Sequence, residues 1–203
     1  MKGKILLSVL LLILLMAFIH SATASPTVIN VDPPYLEVDI TTTPTFTVNI
    51  NITDVEDPGL YCYELKLYYN NTLLNVTDAE YPSGHFLDGV AKFEIPIEIN
   101  REEGYVLFGV TLIGDELGRT GSGLLATVQF NGISLGNTLL EIKEVILLDP
   151  DGNNMEYTGN DGEVDVIPEF TPALIIFIFT TMTLVAIMLR KLTASKKHNA
   201  CCL

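Results

Sequence analysis

Polar and apolar positions alternate most regularly in residues 61–69, where Tyr61, Tyr63, Leu65, Leu67 and Tyr69 share one face and Cys62, Glu64, Lys66 and Tyr68 the other. A period of two marks a strand with one buried and one wetter side. Asn70-Asn71 follows as a turn dipeptide, because asparagine side chains bond nearby backbone and tolerate left-handed angles. Leu74 and Val76 then return inward, which predicts a central strand, a tight turn and a short return strand.

The same period recurs along the chain. Phe46, Val48, Ile50 and Ile52 alternate with Thr47, Asn49 and Asn51, and Phe93, Ile95, Ile97 and Ile99 share one face in residues 90–99. Pro96 makes that second run an edge or bulged strand, since proline donates nothing to a ladder. Shorter extended runs fall at 27–31, 35–40, 105–113, 124–130, 138–145 and 163–166. Asp32-Pro33-Pro34 and Asp57-Pro58-Gly59 punctuate them as breaks and turns. No amphipathic helix of useful length precedes Pro168, so the pattern predicts an all-β sandwich or barrel of eight to ten strands. True immunoglobulin domains carry a tryptophan packed on a cysteine pair, and this chain has no tryptophan.

Both ends of the chain depart from this pattern. Lys2 and Lys4 precede an apolar run over residues 5–19, and Ala22-Thr23-Ala24 places small residues where a signal peptidase reads. Residues 1–24 are therefore expected to be a secretory signal peptide cleaved after Ala24, with an uncleaved anchor as the rival. Residues 173–189 carry no charge, and Arg190, Lys191, Lys196 and Lys197 follow. That predicts a transmembrane helix over 168–190 and a basic cytoplasmic tail over 191–203, leaving the domain, residues 25–167, outside the cell.

Charge narrows the partners. The domain keeps Lys66, Lys92, Arg101, Arg119 and Lys143 against 24 acidic residues, which excludes nucleic-acid binding by phosphate neutralisation. A surface that acidic keeps an extracellular domain soluble, and it also attracts cations or a basic partner. Cys62 is alone between the apolar ends, so the domain has no internal disulfide. Cys201 stands third from the C-terminus, where a prenylation box needs its cysteine fourth.

Three stretches in order carry a resemblance. Tyr63-x-Leu65-x-Leu67-x-Tyr69 with its polar turn and Leu73-Leu74-x-Val76 resembles the cohesin domain of cellulosome scaffolds and related surface proteins. Gly121-Ser122-Gly123-Leu124-Leu125-Ala126-Thr127-Val128-Gln129-Phe130 is similar to the family's Gly-x-Leu-Ala-Thr-Ile-x-Phe strand, and residues 139–153 are similar to its last hairpin. The resemblance spans residues 28–166 and implies a jelly-roll β-sandwich of about nine strands. It also implies a non-catalytic module that captures a dockerin, a calcium-loaded helical pair, on a flat sheet face. Glu64, Lys66 and Tyr68 are the candidate binding residues. Pro168-Glu169-Phe170 with the apolar run and basic tail resembles the sorting signals of archaeal surface proteins processed by archaeosortases; a plain single-pass anchor is the alternative.

Catalytic chemistry is not expected. His85 is the domain's single histidine, placed by Tyr81-Pro82-Ser83-Gly84 in an exposed loop, and Glu102-Glu103 and Asp115-Glu116 are adjacent in sequence, a poor arrangement for acid–base work. No cofactor is implied beyond calcium, carried by a partner or bound weakly. Asp149, Asp151 and Asn153 begin like a calcium loop, but Asn154 stands where that loop needs glycine. Asp54, Glu56 and Asp57 are a second weak candidate. Asn51-Ile52-Thr53, Asn70-Asn71-Thr72 and Asn75-Val76-Thr77 are N-glycosylation sequons; the turn exposes Asn70 and makes it the favoured one, while Asn51 points to the polar face of its strand. Two functions compete with protein capture: a polysaccharide-binding module using Tyr35, Tyr68, Tyr81, Tyr105 or Tyr157, and a structural envelope or adhesion protein.

Overall fold

The computed structural model describes residues 26–114, 117–168 and 172–199. The expected signal peptide, its cleavage at Ala24, Asp115-Glu116, Glu169, Phe170 and Cys201 lie outside these residues. Twelve strands build two packed sheets. The first has the order β11 (Tyr157–Asn160), β1 (Thr27–Asp32), β3 (Thr45–Leu60), β9 (Arg119–Gly132), β5 (Leu74–Glu80). The second has the order β2 (Tyr35–Asp39), β12 (Gly162–Ile167), β10 (Gly136–Leu148), β4 (Cys62–Tyr68), β8 (Tyr105–Leu112), β6 (Lys92–Glu94), with β7 (Glu98–Asn100) also on β8. An all-β sandwich was expected, but with about nine strands.

Most of the excess has a local cause. Prolines cannot donate to a ladder, so at Pro33-Pro34 the chain leaves β3's partner β1 and re-enters the opposite sheet as β2 beside β12. Pro96 splits the run over 92–100 into β6 and β7, both on the edge of β8, as its chemistry predicted. Strand β11 left no alternation to find, because all four of its side chains are exposed.

Two local expectations are corrected. Asp57-Pro58-Gly59 does not form a free turn; it ends β3 as a bulge, between the pairs Val55↔Gly121 and Leu60↔Arg119. Gly59 needs its glycine there: its φ is +91°, and a Cβ would meet the Gly118 carbonyl carbon at 2.5 Å. The strand after Asn70-Asn71 does not return along β4. Leu73 and Leu74 both donate their N–H to the Asn70 carbonyl, and this tight corner carries β5 across to pair with β9 in the other sheet.

That crossing lets one short stretch line the core from both sides. Tyr63, Leu65 and Leu67 of β4 and Leu74 and Val76 of β5 are all buried. The Tyr63 hydroxyl spans the layers to donate to the Leu125 carbonyl of β9 at 3.0 Å, and Tyr69 meets Phe130 edge-on at 5.3 Å. The gap that Pro96 opens is closed by Tyr81, whose hydroxyl accepts the Gly109 N–H at 2.8 Å and lies 3.1 Å from the Ile95 carbonyl. Tyr81→Phe strips these groups of their partner and should cost about 1–2 kcal/mol, with faster amide exchange at Gly109. Unchanged exchange at Gly109 would mean that the hydroxyl does not hold this edge.

Helix α1 (Pro172–Asn199) starts on a proline, which suits a first turn whose N–H has no helical partner. It runs beyond Arg190 to Asn199. Its described side chains, Ile176 to Arg190, are exposed and mainly apolar. Among the described residues no helix is long and apolar enough to cross a membrane. The transmembrane helix expected from the sequence is therefore not supported by the structure.

Candidate protein-binding face

Strand β4 lies between β10 and β8, so its outward side chains stand mid-sheet. Glu64 pairs with Gly109 and Ile146, Lys66 with Leu107 and Lys143, and Tyr68 with Tyr105 and Glu141. The three candidate residues thus line one outward, half-buried row, and the structure gives two of them a common partner absent from the sequence reading. Lys66 Nζ lies 2.6 Å from Glu144 Oε2, and the Tyr68 hydroxyl donates to Glu144 Oε1 at 2.7 Å. Lys66 also stands 4.7 Å over the Tyr105 ring, Tyr68 and Tyr105 are 5.5 Å apart, and the Tyr105 hydroxyl reaches Glu98 at 2.6 Å. Glu64 makes no bond to this network among the described residues.

A bulge puts Glu144 in place. The register between β10 and β4 shifts between Lys143 and Ile146, and Glu144 takes φ +50°, a left-handed angle unusual outside glycine. The bulge turns its carboxylate onto Lys66 and Tyr68. Its pKa is lowered, first by the Lys66 ammonium and then by the Tyr68 hydroxyl, while the same carboxylate raises the pKa of both. The sequence did carry a trace of this device. Inward positions at Thr138, Leu140 and Ile142 resume at Val145 and Leu147, and this step of three is what one inserted residue produces.

The opposite end of the face is apolar. Phe93 is 53% exposed and Ile146 45% exposed, and the half-buried Cys62 and Leu148 lie between them through Thr111. Gly109 makes room for the Ile95 side chain, which a Cβ there would meet at 2.7 Å. A flat face with an apolar end and a rigid ionic–aromatic end suits a protein surface better than a small molecule.

Other candidates disperse. The five tyrosines offered for sugar stacking form no platform: Tyr81 is taken into the sheet edge, Tyr68 and Tyr105 are tilted by 48°, and Tyr35 and Tyr157 stand in different sheets. His85 is not an exposed loop residue. It is only 4% exposed, because the loop after Tyr81 caps the sandwich with Leu87 in the core, and its Nε2 lies 3.1 Å from Glu94 Oε1. Lys92 joins that group through Asp88 and Glu94.

Asp149 spends its carboxylate on its own turn. Oδ1 accepts the N–H groups of Asp151 and Asn153 at 2.9 and 2.8 Å, and Oδ2 accepts the Asn153 amide at 3.0 Å. These oxygens close a β-turn instead of facing a cation, so Asp149, Asp151 and Asn153 do not converge as ligands. Asp54 turns back into β9, its N–H donating to the Ser122 hydroxyl. Among the described residues no group of three or more His, Cys, Asp or Glu could hold a metal ion.

The Asn153 amide and the backbone donors lower the Asp149 pKa from its ordinary value near 4. With the folded value the lower one, the turn's contribution is complete above about pH 4 and is lost as pH falls through the folded value. Asp149→Ala should flatten the acid limb of a plot of urea midpoint against pH. An unaltered acid limb would remove Asp149 from the acid stability of the fold.

The family model described as cohesin domain matches residues 26–166, well over half of the 203-residue chain. The chain belongs to the cohesin family. Solved structures agree on the fold. A non-cellulosomal cohesin from the hyperthermophilic archaeon Archaeoglobus fulgidus is 18% identical, with a TM-score of 0.55 over 70% of this chain and 92% of that one. The cohesins of two type I cohesin–dockerin complexes from Clostridium thermocellum are each 15% identical. One has a TM-score of 0.57 over 70% of this chain and 100% of that one, the other 0.56 over 74% and 99%. None of the curated proteins matches. As a cohesin, the chain is a protein-binding module of that family's type.

Proposed function

We propose that this cohesin holds a protein partner of dockerin type on the outer face of its second sheet, through Lys66, Tyr68 and Glu144 with Glu64 beside them and the buried Tyr105 supporting Lys66 from beneath. The observation that carries this is the exposed ion pair of Lys66 and Glu144 braced by two tyrosines on a strand in mid-sheet. A network already fixed in the free protein loses little freedom on binding. The cohesins of the two Clostridium thermocellum structures were solved in complex with dockerins.

Display outside the cell completes the proposal. It rests on the basic and apolar start of the chain with its small residues before Ser25, and on the uncharged run over 173–189 with the cations after it. Processing at Pro168-Glu169-Phe170 is the alternative to permanent anchoring. The acidic surface fits an exported protein equally well.

The test immobilises residues 26–167 and passes extracts of the source cells over them, with and without a calcium chelator. A retained protein with paired calcium loops, lost on chelation, is the expected result. Retention of polysaccharide, or of nothing but further copies of the domain, would overturn it.

A further inference from the structure

The turn dipeptide already favours Asn70 among the three sequons, and the fold separates them further. Asn51 and Asn75 are both half-buried on the outer face of the first sheet, in extended strands. Asn51 is flanked on both sides, by Asn30 of β1 and Leu124 of β9. Asn75 stands opposite Asn131 of β9, and its sequon threonine, Thr77, gives its hydroxyl to Gln129, 3.2 Å from the carbonyl and 3.0 Å from Oε1. In neither sequon does the threonine bond its asparagine among the described residues.

Asn70 differs in each respect. It is exposed, at the corner between β4 and β5. Its Oδ1 accepts both the Thr72 N–H at 3.0 Å and the Thr72 hydroxyl at 2.7 Å, so the two functional side chains of the sequon are already joined. Its Nδ2 has no partner among the described residues. Neighbouring Asn71 does the structural work, its Nδ2 donating to the carbonyls of Arg101 at 3.1 Å and Glu102 at 2.7 Å. The corner therefore stays fixed while the Asn70 amide nitrogen is presented to solvent.

We propose that Asn70, and not Asn51 or Asn75, is the residue the folded chain offers for N-glycosylation. The hydroxyl bond to Oδ1 draws electron density toward the oxygen and eases loss of a proton from Nδ2. In the transfer, Nδ2 bonds to the anomeric carbon of a lipid-phosphate-linked oligosaccharide. The bond from that carbon to the phosphate oxygen breaks, the lipid phosphate leaves with the electron pair, and the proton lost from the amide passes to that phosphate. Asn70 follows Tyr68 by two residues, so the sugar stands at the Tyr68–Tyr105 end of the binding face and limits the partner's footprint there. The inference rests on the proposed export of the domain.

The test is glycopeptide mapping and intact mass of the full chain recovered from its source cells, as wild type and as Asn70→Gln, Thr72→Ala and Thr72→Ser. The wild-type peptide containing Asn70 is expected to carry a glycan. Asn70→Gln and Thr72→Ala should lose that whole mass, and Thr72→Ser, which keeps a hydroxyl, should retain it. An unmodified Asn70, or a glycan at Asn51 or Asn75 with Asn70 bare, overturns the assignment. The N-terminal peptide from the same digest separates the causes. A chain beginning after Ala24 with Asn70 bare fails only the assignment, whereas one that keeps residues 1–24 and remains in the cytoplasm fails the export proposal as well.

Discussion

Lys66→Glu is expected to weaken capture of the partner by about 30-fold or more, while leaving the melting temperature within a few degrees of wild type. Lys66 is the cation at the centre of the proposed face and is held by Glu144 at 2.6 Å over the Tyr105 ring. Reversing its charge sets two carboxylates side by side and inverts the potential that the partner meets. Stability hardly changes, because an ion pair at an exposed sheet surface contributes little against water and salt. The charge swap Lys66→Glu with Glu144→Lys separates the two effects. It rebuilds an ion pair within the face but leaves an anion at 66, so binding should stay weak. Titration of each variant by calorimetry against the captured protein reads this directly. Wild-type affinity in Lys66→Glu would remove this face from the function.

Phe108→Ala should cost about 3–5 kcal/mol of folding stability. Phe108 is wholly buried on β8, paired with Leu65 of β4 and edge-on to Tyr81 at 6.1 Å. Removing the ring loses its transfer free energy and leaves a cavity that two hydrogen-bonded sheets cannot close. Set against a typical total of about 5–15 kcal/mol, that is a large share, and the urea midpoint should fall accordingly. Phe108→Leu keeps most of the volume and should cost less than about half as much. A loss below about 1 kcal/mol in the alanine variant would mean that the sheets relax into the space, and that β8 is not the rigid support of the binding face.

The proposed binding face was half legible. Lys66 and Tyr68 fall on the outward side of an alternating strand, and period two alone assigns them there. Glu144 and Tyr105 come from strands 78 and 37 residues from their partners Lys66 and Tyr68, and only the register of β4 with β10 and β8 brings them together. His85 misled because a loop rich in Pro, Ser and Gly usually faces water, whereas this one carries Phe86 and Leu87 over the end of the core. Strand β11, with every side chain exposed, had no burial to record itself in the sequence.

By itself, then, the sequence determined which faces are apolar, where strands must stop and how charge is distributed. These follow from side-chain chemistry and the fixed geometry of an extended backbone, each of which acts within a few residues. Alternation in 61–69 predicted the buried row of β4, and Pro96 predicted a broken edge strand. Only the tertiary structure decided which sheet each strand joins, that β5 crosses at Asn70 instead of folding back, and that a bulge aims Glu144 at Lys66. Strand pairing depends on contacts between distant segments competing for the same core. That competition is settled by packing the whole domain, and no local window of sequence contains it.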